Sequence, residues 1–273
     1  MRYLMLMILA TVLVWGGCSH VSSTGDAGPV ECNLGEYSGD FTIGTQSEVA
    51  TLAGYTSISG GLEINCPSCT DLSELVCLTS VGGLLYMEWN TALPNLDGLS
   101  GLTSVGGVLY ISWNAVLTNL DGLSALTSVG GYLYIKYNAA LTNLDGLNAL
   151  TSMGEGLYIN DNDALTNLIG LSALTSVGEH LYIQGNDALP NLDGLSALTL
   201  VDGKLVISDN DILTNLDGLS GITSVGTLGI GFNVSLHDCK ACELLDQFTS
   251  VPTSINVYDN LDDTCTPVPE NCP

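Results

Sequence analysis

The chain has 273 residues, 4 basic against 29 acidic side chains for a formal net charge of −25, and 46% hydrophobic residues. A field of that sign repels phosphate backbones and anionic headgroups, which argues against nucleic acid and lipid-headgroup electrostatics as partners. Only 12% of the residues are charged, so this is not a disordered acidic tail: the apolar content suffices for a large core.

The first residues set the compartment. Met1-Arg2 is a short positive start, and Tyr3 to Trp15 is an apolar run of thirteen residues, below the roughly 20 that a membrane-spanning helix needs. It reads as the hydrophobic region of a signal peptide over residues 1–17. The run ends in Trp15-Gly16-Gly17-Cys18, which resembles a bacterial lipoprotein cleavage box. The resemblance implies lipidation of Cys18 and export to the outer membrane or cell surface of a Gram-negative bacterium, held to the membrane by lipid alone. Trp15 stands where that box has an aliphatic residue, so secretion with another cut site is the alternative. Residues 18–31 are small and polar with Gly and Pro, a flexible tether. Loss of Arg2 leaves Lys136, Lys204 and Lys240 against 29 carboxylates, 3 − 29, or −26.

Internal repeats then decide the fold. Leu-x-Asn-Leu-Asp-Gly-Leu begins at Leu93, Leu117, Leu141, Leu189 and Leu213, with a variant at Leu165 where Ile169 replaces the aspartate; the period is 24 residues. Within one copy Leu117, Leu120, Leu123, Leu126, Val129, Leu133 and Ile135 are apolar, so spacings of three give way to a spacing of two. That is the pattern of a coil whose short segments each turn one side chain inward and whose Leu133-Tyr134-Ile135 is a strand. Looser copies extend the array, with Phe41-Thr42-Ile43 as an opening strand and Ile255-Asn256-Val257 as a closing one. One coil cannot bury its apolar face alone, so the coils stack. The expected fold is mainly β: a right-handed β-solenoid of about eight 24-residue leucine-rich coils with a short C-terminal capping helix. Gly-Gly at Gly82, Gly106 and Gly130 precedes the strands and is expected to form corners at positive φ.

The repeat L-x-NLDGLSALTSVGG-x-LYI-x-x-N resembles the receptor L-domain, the leucine-rich β-helix of insulin-receptor and epidermal-growth-factor-receptor ectodomains and of fungal cell-wall proteins. Cys32, Gly39 to Ile43, Val49 to Leu52 and Ile58 to Ile64 look like that family's first turns, and the likeness spans about residues 32 to 260. It implies a fold; the coils here are more regular than in the receptors, and no hormone-type ligand site is carried over.

Setting Cys18 aside, eight cysteines remain in two groups, Cys32, Cys66, Cys69 and Cys77, then Cys239, Cys242, Cys265 and Cys272. An even number confined to the ends of an exported solenoid fits disulfides in the caps, two within each group, with the pairing left open. The order is thus a disulfide-rich N-terminal cap with the first coils over residues 32–77, a repeat solenoid over 78–234 and a cysteine-rich cap over 235–273. In that last cap Asp238 is placed to cap a helix from Cys239 to about Phe248.

Three ladders climb the stack. Asn90, Asn114, Asn138, Asn162, Asn186 and Asn210 follow the strands and read as a structural amide ladder. Asp97, Asp121, Asp145, Asp193 and Asp217 read as Asx turns ahead of glycine, with calcium binding as the sharper alternative. Tyr86, Tyr110, Tyr134, Tyr158 and Tyr182 alternate with inward residues and so point outward, with Trp89, Trp113 and Tyr137 beside the first three. These eight rings are the candidate ligand-binding face: they could stack on sugars or hold a protein loop, or else only brace neighbouring strands. His20, His180 and His237 make no catalytic constellation and there is no phosphate loop, so neither enzyme activity, metal nor cofactor is expected. An ice-binding surface is rejected because Thr127-Ser128 and its equivalents are adjacent and fall outside the strand. Two readings survive: a surface binding protein for a glycan or protein ligand, and a structural rod without a specific ligand.

Overall fold

A computed structural model describes residues 30–261. The signal peptide, Cys18, most of the tether, Cys265 and Cys272 lie outside them. The described chain is a parallel β-solenoid, as its period implies. Ten strands stack in sequence order in one sheet, from Phe41–Ile43 through Leu85–Glu88, Leu109–Ser112, Leu133–Lys136 and Leu157–Asn160 to Ser254–Tyr258. Register is strict: Leu133, Tyr134, Ile135 and Lys136 face Leu109, Tyr110, Ile111 and Ser112 on one side and Leu157, Tyr158, Ile159 and Asn160 on the other. Strict alternation sends Leu133 and Ile135 into the core, fully buried, and leaves Tyr134 and Lys136 on the outer face.

A second, eight-stranded parallel sheet was not expected. It begins with Gly35–Tyr37 and Tyr55–Ile58 and continues as two-residue strands, among them Ser80–Val81, Ser104–Val105 and Ser128–Val129. Ser128 therefore lies in a strand, contrary to the ground on which the ice-binding surface was rejected. The threonine before it is a rung of its own, the Thr127 hydroxyl donating to the Thr103 carbonyl at 3.1 Å.

The spacing of three in the leucines is a 3-10 turn in each coil, for example Asp121–Leu123 and Asp145–Leu147. Leu117, Leu120, Leu123, Leu126, Leu133 and Ile135 are all 0% exposed, as are their counterparts 24 residues on. Each such side chain contributes roughly 1.5–3 kcal/mol. Coil packs on coil so closely that the repeat's glycines are required by contact. A Cβ on Gly146 would lie 1.7 Å from the Leu120 carbonyl oxygen, and one on Gly130 2.2 Å from that of Gly106. The Gly-Gly corners do not use positive φ: the glycines that do are Gly35, Gly39, Gly54 and Gly185.

Cys32 bonds to Cys77 and Cys66 to Cys69, two disulfides within the N-terminal group. The first ties the chain entering the stack to the third coil. Cys239 and Cys242 are also disulfide-bonded. The capping helix spans Asp238–Asp246, with Leu244 and Leu245 buried and Phe248 packed against the core beyond its end. His237 occupies the cap position and Asp238 is the first helical residue, one place off the expected arrangement.

Candidate functional site

The asparagine ladder fixes where each strand ends. Asn138 is 0% exposed; its Nδ2 donates to the Ile111 carbonyl at 3.0 Å and to Asn162 Oδ1 at 3.2 Å, and its backbone N–H donates to the same Oδ1 at 3.2 Å. Each asparagine of this ladder thus has partners in a neighbouring coil, the condition for burying its amide at all. The ladder runs two rungs further than the sequence suggests, to Asn233 and Asn260.

To bring each asparagine inward, the residue before it turns left-handed. That position holds Trp89 (φ 60), Trp113 (φ 55), Tyr137 (φ 56), Asp161 (φ 55), Gly185 (φ 64), Asp209 (φ 56), Phe232 (φ 58) and Asp259 (φ 54). Gly, Asn and Asp tolerate this region, whereas a bulky residue there is unusual and strained. The first three rings stand side by side: Trp89 on Trp113 at 4.8 Å and 5°, Trp113 on Tyr137 at 4.4 Å and 19°. They remain 45%, 38% and 39% exposed.

The tyrosine column lies beside them, half-buried. Tyr86 stacks on Tyr110 at 4.7 Å and 9°, and Tyr158 on Tyr182 at 4.7 Å and 8°, while Tyr134 is tilted against both its neighbours. The tilt coincides with Lys136, whose Nζ sits 4.7 Å from the Tyr134 ring centre and 5.1 Å from that of Tyr158. Burial pushes the Tyr86 and Tyr158 hydroxyls up to about 12, for Tyr86 with the Glu88 carboxylate, which accepts its hydrogen bond at 2.9 Å, as the next cause. Burial also lowers the Lys136 ammonium.

All eight expected rings therefore share one outer face, in two adjacent columns. The way they pack corrects one expectation. Within each stacked run the faces are covered by neighbouring rings, so a sugar cannot lie on them; what the surface offers is ring edges, indole N–H groups and hydroxyls. Face-to-face sugar stacking is confined to the ends of the runs. Tyr132 also belongs to this face, 5.6 Å from Tyr134 and 5.9 Å from Tyr158, its hydroxyl donating to Glu179 at 2.6 Å. Its place two residues before Tyr134 predicts the same outward direction, a signal that the column pattern hid because other coils hold Leu84, Val108 or Gly156 there. Phe232 against Tyr258 at 5.0 Å is a second, smaller aromatic pair, near the C-terminal cap.

The aspartate column is exposed and its side chains do not make the turns. The acceptor is the asparagine two residues earlier, Asn119 Oδ1 taking the Asp121 N–H at 3.1 Å and Asn143 Oδ1 that of Asp145 at 3.1 Å. Asn167 does the same for Ile169, which is 60% exposed, so the carboxylate is dispensable to the turn. Among the described residues no group of three or more His, Cys, Asp or Glu is placed to hold a metal ion. His180 accepts the Lys204 N–H through Nδ1 at 3.1 Å and packs edge-on to Tyr182, a structural role.

Compared with known families and curated proteins, the chain matches no family model and no curated sequence.

Proposed function

We propose that the protein is an exported, lipid-anchored recognition module of receptor L-domain-like type, not an enzyme, that presents its aromatic face to a protein or glycan at the cell surface. One observation carries this reading. Trp89, Trp113 and Tyr137 are large, exposed and held at positive φ, in a position that other coils fill with Asp161, Gly185 and Asp209. Left-handed backbone in a residue with a Cβ costs roughly 1–2 kcal/mol. The fold has no need of that cost at this position, and strained exposed aromatics are a mark of interaction surfaces. Because ring faces are covered, the contacts favoured are edge-on and through hydrogen bonds, which suits a protein ligand better than a stacked sugar. The disulfides fit an oxidising compartment outside the cytoplasm. Among the described residues no helix is long and apolar enough to cross a membrane.

The covered ring faces also favour the second reading, a structural rod in which the stacks only reinforce the strands. Retention of the protein on cell-wall material, on a glycan array and on surface proteins of its own cells separates the two. Trp89→Asn with Trp113→Asn places a residue suited to positive φ at both positions; it is expected to abolish retention while leaving the melting temperature within a few degrees of the parent. Retention unchanged in that variant removes the aromatic face as the site, and no retention by the parent on any surface leaves the rod.

A further inference from the structure

Away from the ring columns, the N-terminal end of the same sheet holds an open cleft of about 420 Å³, within the size range of small-ligand sites, lined by Asp40, Phe41, Gly60, Gly61, Glu63 and Leu84 among others. We propose that this cleft binds a compact organic cation, an ammonium or guanidinium group on a short apolar stem. The inference does not depend on the aromatic-face reading.

The cleft exists because of how the first coils stack. Gly83 approaches the backbone of Gly60 so closely that a Cβ would lie 2.9 Å from the Gly60 carbonyl carbon, and a Cβ on Gly61 would meet Leu84 at 3.2 Å. Backbone packs on backbone between Gly60 and Gly83, with the Leu84 side chain over Gly61. Leu84, 47% exposed and large for a leucine in this stack, forms an apolar wall, Thr42 brings a hydroxyl, and Phe41 borders the cleft while packing against the core.

Charge selects the occupant. Glu63 is paired in register with Tyr86, so a carboxylate stands where the next five coils carry tyrosine. It makes no hydrogen bond or ion pair among the described residues. Asp40 contributes a second carboxylate, of which Oδ1 accepts the Gly61 N–H at 2.7 Å while Oδ2 is left to another donor. No basic side chain lines the cleft. A cation gains from both carboxylates and from the field of a chain at −25, and an apolar stem covers Leu84. An anion meets two like charges, and a neutral ligand leaves the carboxylates unpaired. A bare metal ion finds two carboxylates, one of whose oxygens already accepts the Gly61 N–H, and the Thr42 hydroxyl, too few donors.

Titration of the isotopically labelled protein with n-butylammonium, followed by the amide signals of Gly60, Gly61 and Gly83, tests the assignment. Saturating shifts at these three amides are expected, at least five-fold weaker binding in Glu63→Gln, and no saturation with n-butanol, which has the same stem without the charge. Absent shifts, equal shifts with n-butanol, or undiminished binding in both Glu63→Gln and Asp40→Asn overturn the proposal. Two further probes separate the sources of the cation, a blocked Gly-Lys-Gly peptide and its acetyl-lysine counterpart. Saturation by the first alone assigns the site to a basic side chain of a partner, and saturation by n-butylammonium with neither peptide assigns it to a small free amine; both support a cation site.

Discussion

The coils carrying Trp89, Trp113 and Tyr137 and those carrying Asp161, Gly185 and Asp209 share one backbone, one buried asparagine rung and one strand register, yet differ in what they show to solvent. At the left-handed position the second group holds residues that the conformation favours, and the first holds residues it disfavours. The tyrosine column changes in the same direction, from Tyr182 to Val206 and then Gly229 along the sheet. In the acidic half, Asp161 and Asp187 are raised from the ordinary carboxyl value, by burial first and then by neighbours that include Asp163 and Asp209. What the two halves share is therefore what the fold requires; where they part, the shared backbone accepts either choice.

The comparison breaks most visibly if the shared part is unequal. The Asn138 amide accepts the Asn114 N–H and donates to the Ile111 carbonyl, and that of Asn186 accepts the Asn162 N–H and donates to the Ile159 carbonyl, so each satisfies two backbone groups of the preceding coil. Replacing either by Ala leaves buried donors and acceptors unpaired at ~1–3 kcal/mol each, so a loss of about 3 kcal/mol is expected at both. Urea unfolding that shows one asparagine costing less than half the other would mean that the halves are not one scaffold.

Alkaline pH acts on the tyrosine column, which runs from the coils of the Trp89 group into those of Asp161 and Gly185. Tyr86 and Tyr158 lie near 12 in the folded protein against about 10 unfolded. Between those values the unfolded chain has lost protons that the folded one keeps, so the contribution is fully present below pH 10 and is lost as pH rises through 12. These rings are partly exposed, and allowing for solvent screening the loss is roughly 1–2 kcal/mol per tyrosine. Tyr86→Phe with Tyr158→Phe is expected to flatten the stability profile over that window, and a profile as steep as the parent's would assign the loss elsewhere.

How much of this was legible in the sequence depends on whether a feature repeats in identity or only in conformation. The inward leucines, the outward tyrosines and the asparagine rungs recur as the same residue every 24 positions, so period and alternation suffice to place them. Ser128–Val129 escaped because two residues carry no alternation to read. The left-handed turn escaped because its occupants range from Trp to Gly, and the two bulkiest argue against the conformation they adopt. Asn233 and Asn260 fell off the ladder because their spacings drop to 23 and rise to 27. The glycines were seen, but their reason is contact between coils, a distance that only the stacked structure contains. The ring columns were placed correctly and their packing was not: alternation tells which way Tyr134 points and says nothing of whether its face is covered.

Exchanging residues across the left-handed column sharpens the contrast. Asp209→Trp puts an indole at φ 56 with Gly185 and Phe232 as its column neighbours, so it takes on left-handed strain without a flanking run of stacked rings. A destabilisation of about 1–2 kcal/mol is expected, whereas Trp113→Asn exchanges lost stacking of ~0.5–1.5 kcal/mol per ring pair for relief of the same strain and should come out nearer zero. Thermal unfolding of the two variants side by side decides it, and the reverse ranking would show that the aromatic ladder is a stabilising device.

The smallest effect lies where the outer column runs out. Gly229 occupies the outward place beside Val206, its backbone is not left-handed, and a Cβ there would meet Val206 Cγ2 at 3.6 Å, an ordinary contact. Two residues on, a Cβ on Gly231 would press into the Tyr258 ring at 2.7 Å. Stability alone therefore favours a side chain at the first glycine and forbids one at the second. Gly229→Val is expected to gain about 0.5–1 kcal/mol, through a less free unfolded chain and a cross-strand contact, with the urea midpoint raised and the slope unchanged; Gly231→Val should lose more than that. If Gly229→Val gains, the bare end of the column is no requirement of the coils, and the concentration of rings toward the N-terminal half is a choice the fold did not impose. If it loses, the taper belongs to packing, and the contrast between the halves weakens as evidence for a recognition face.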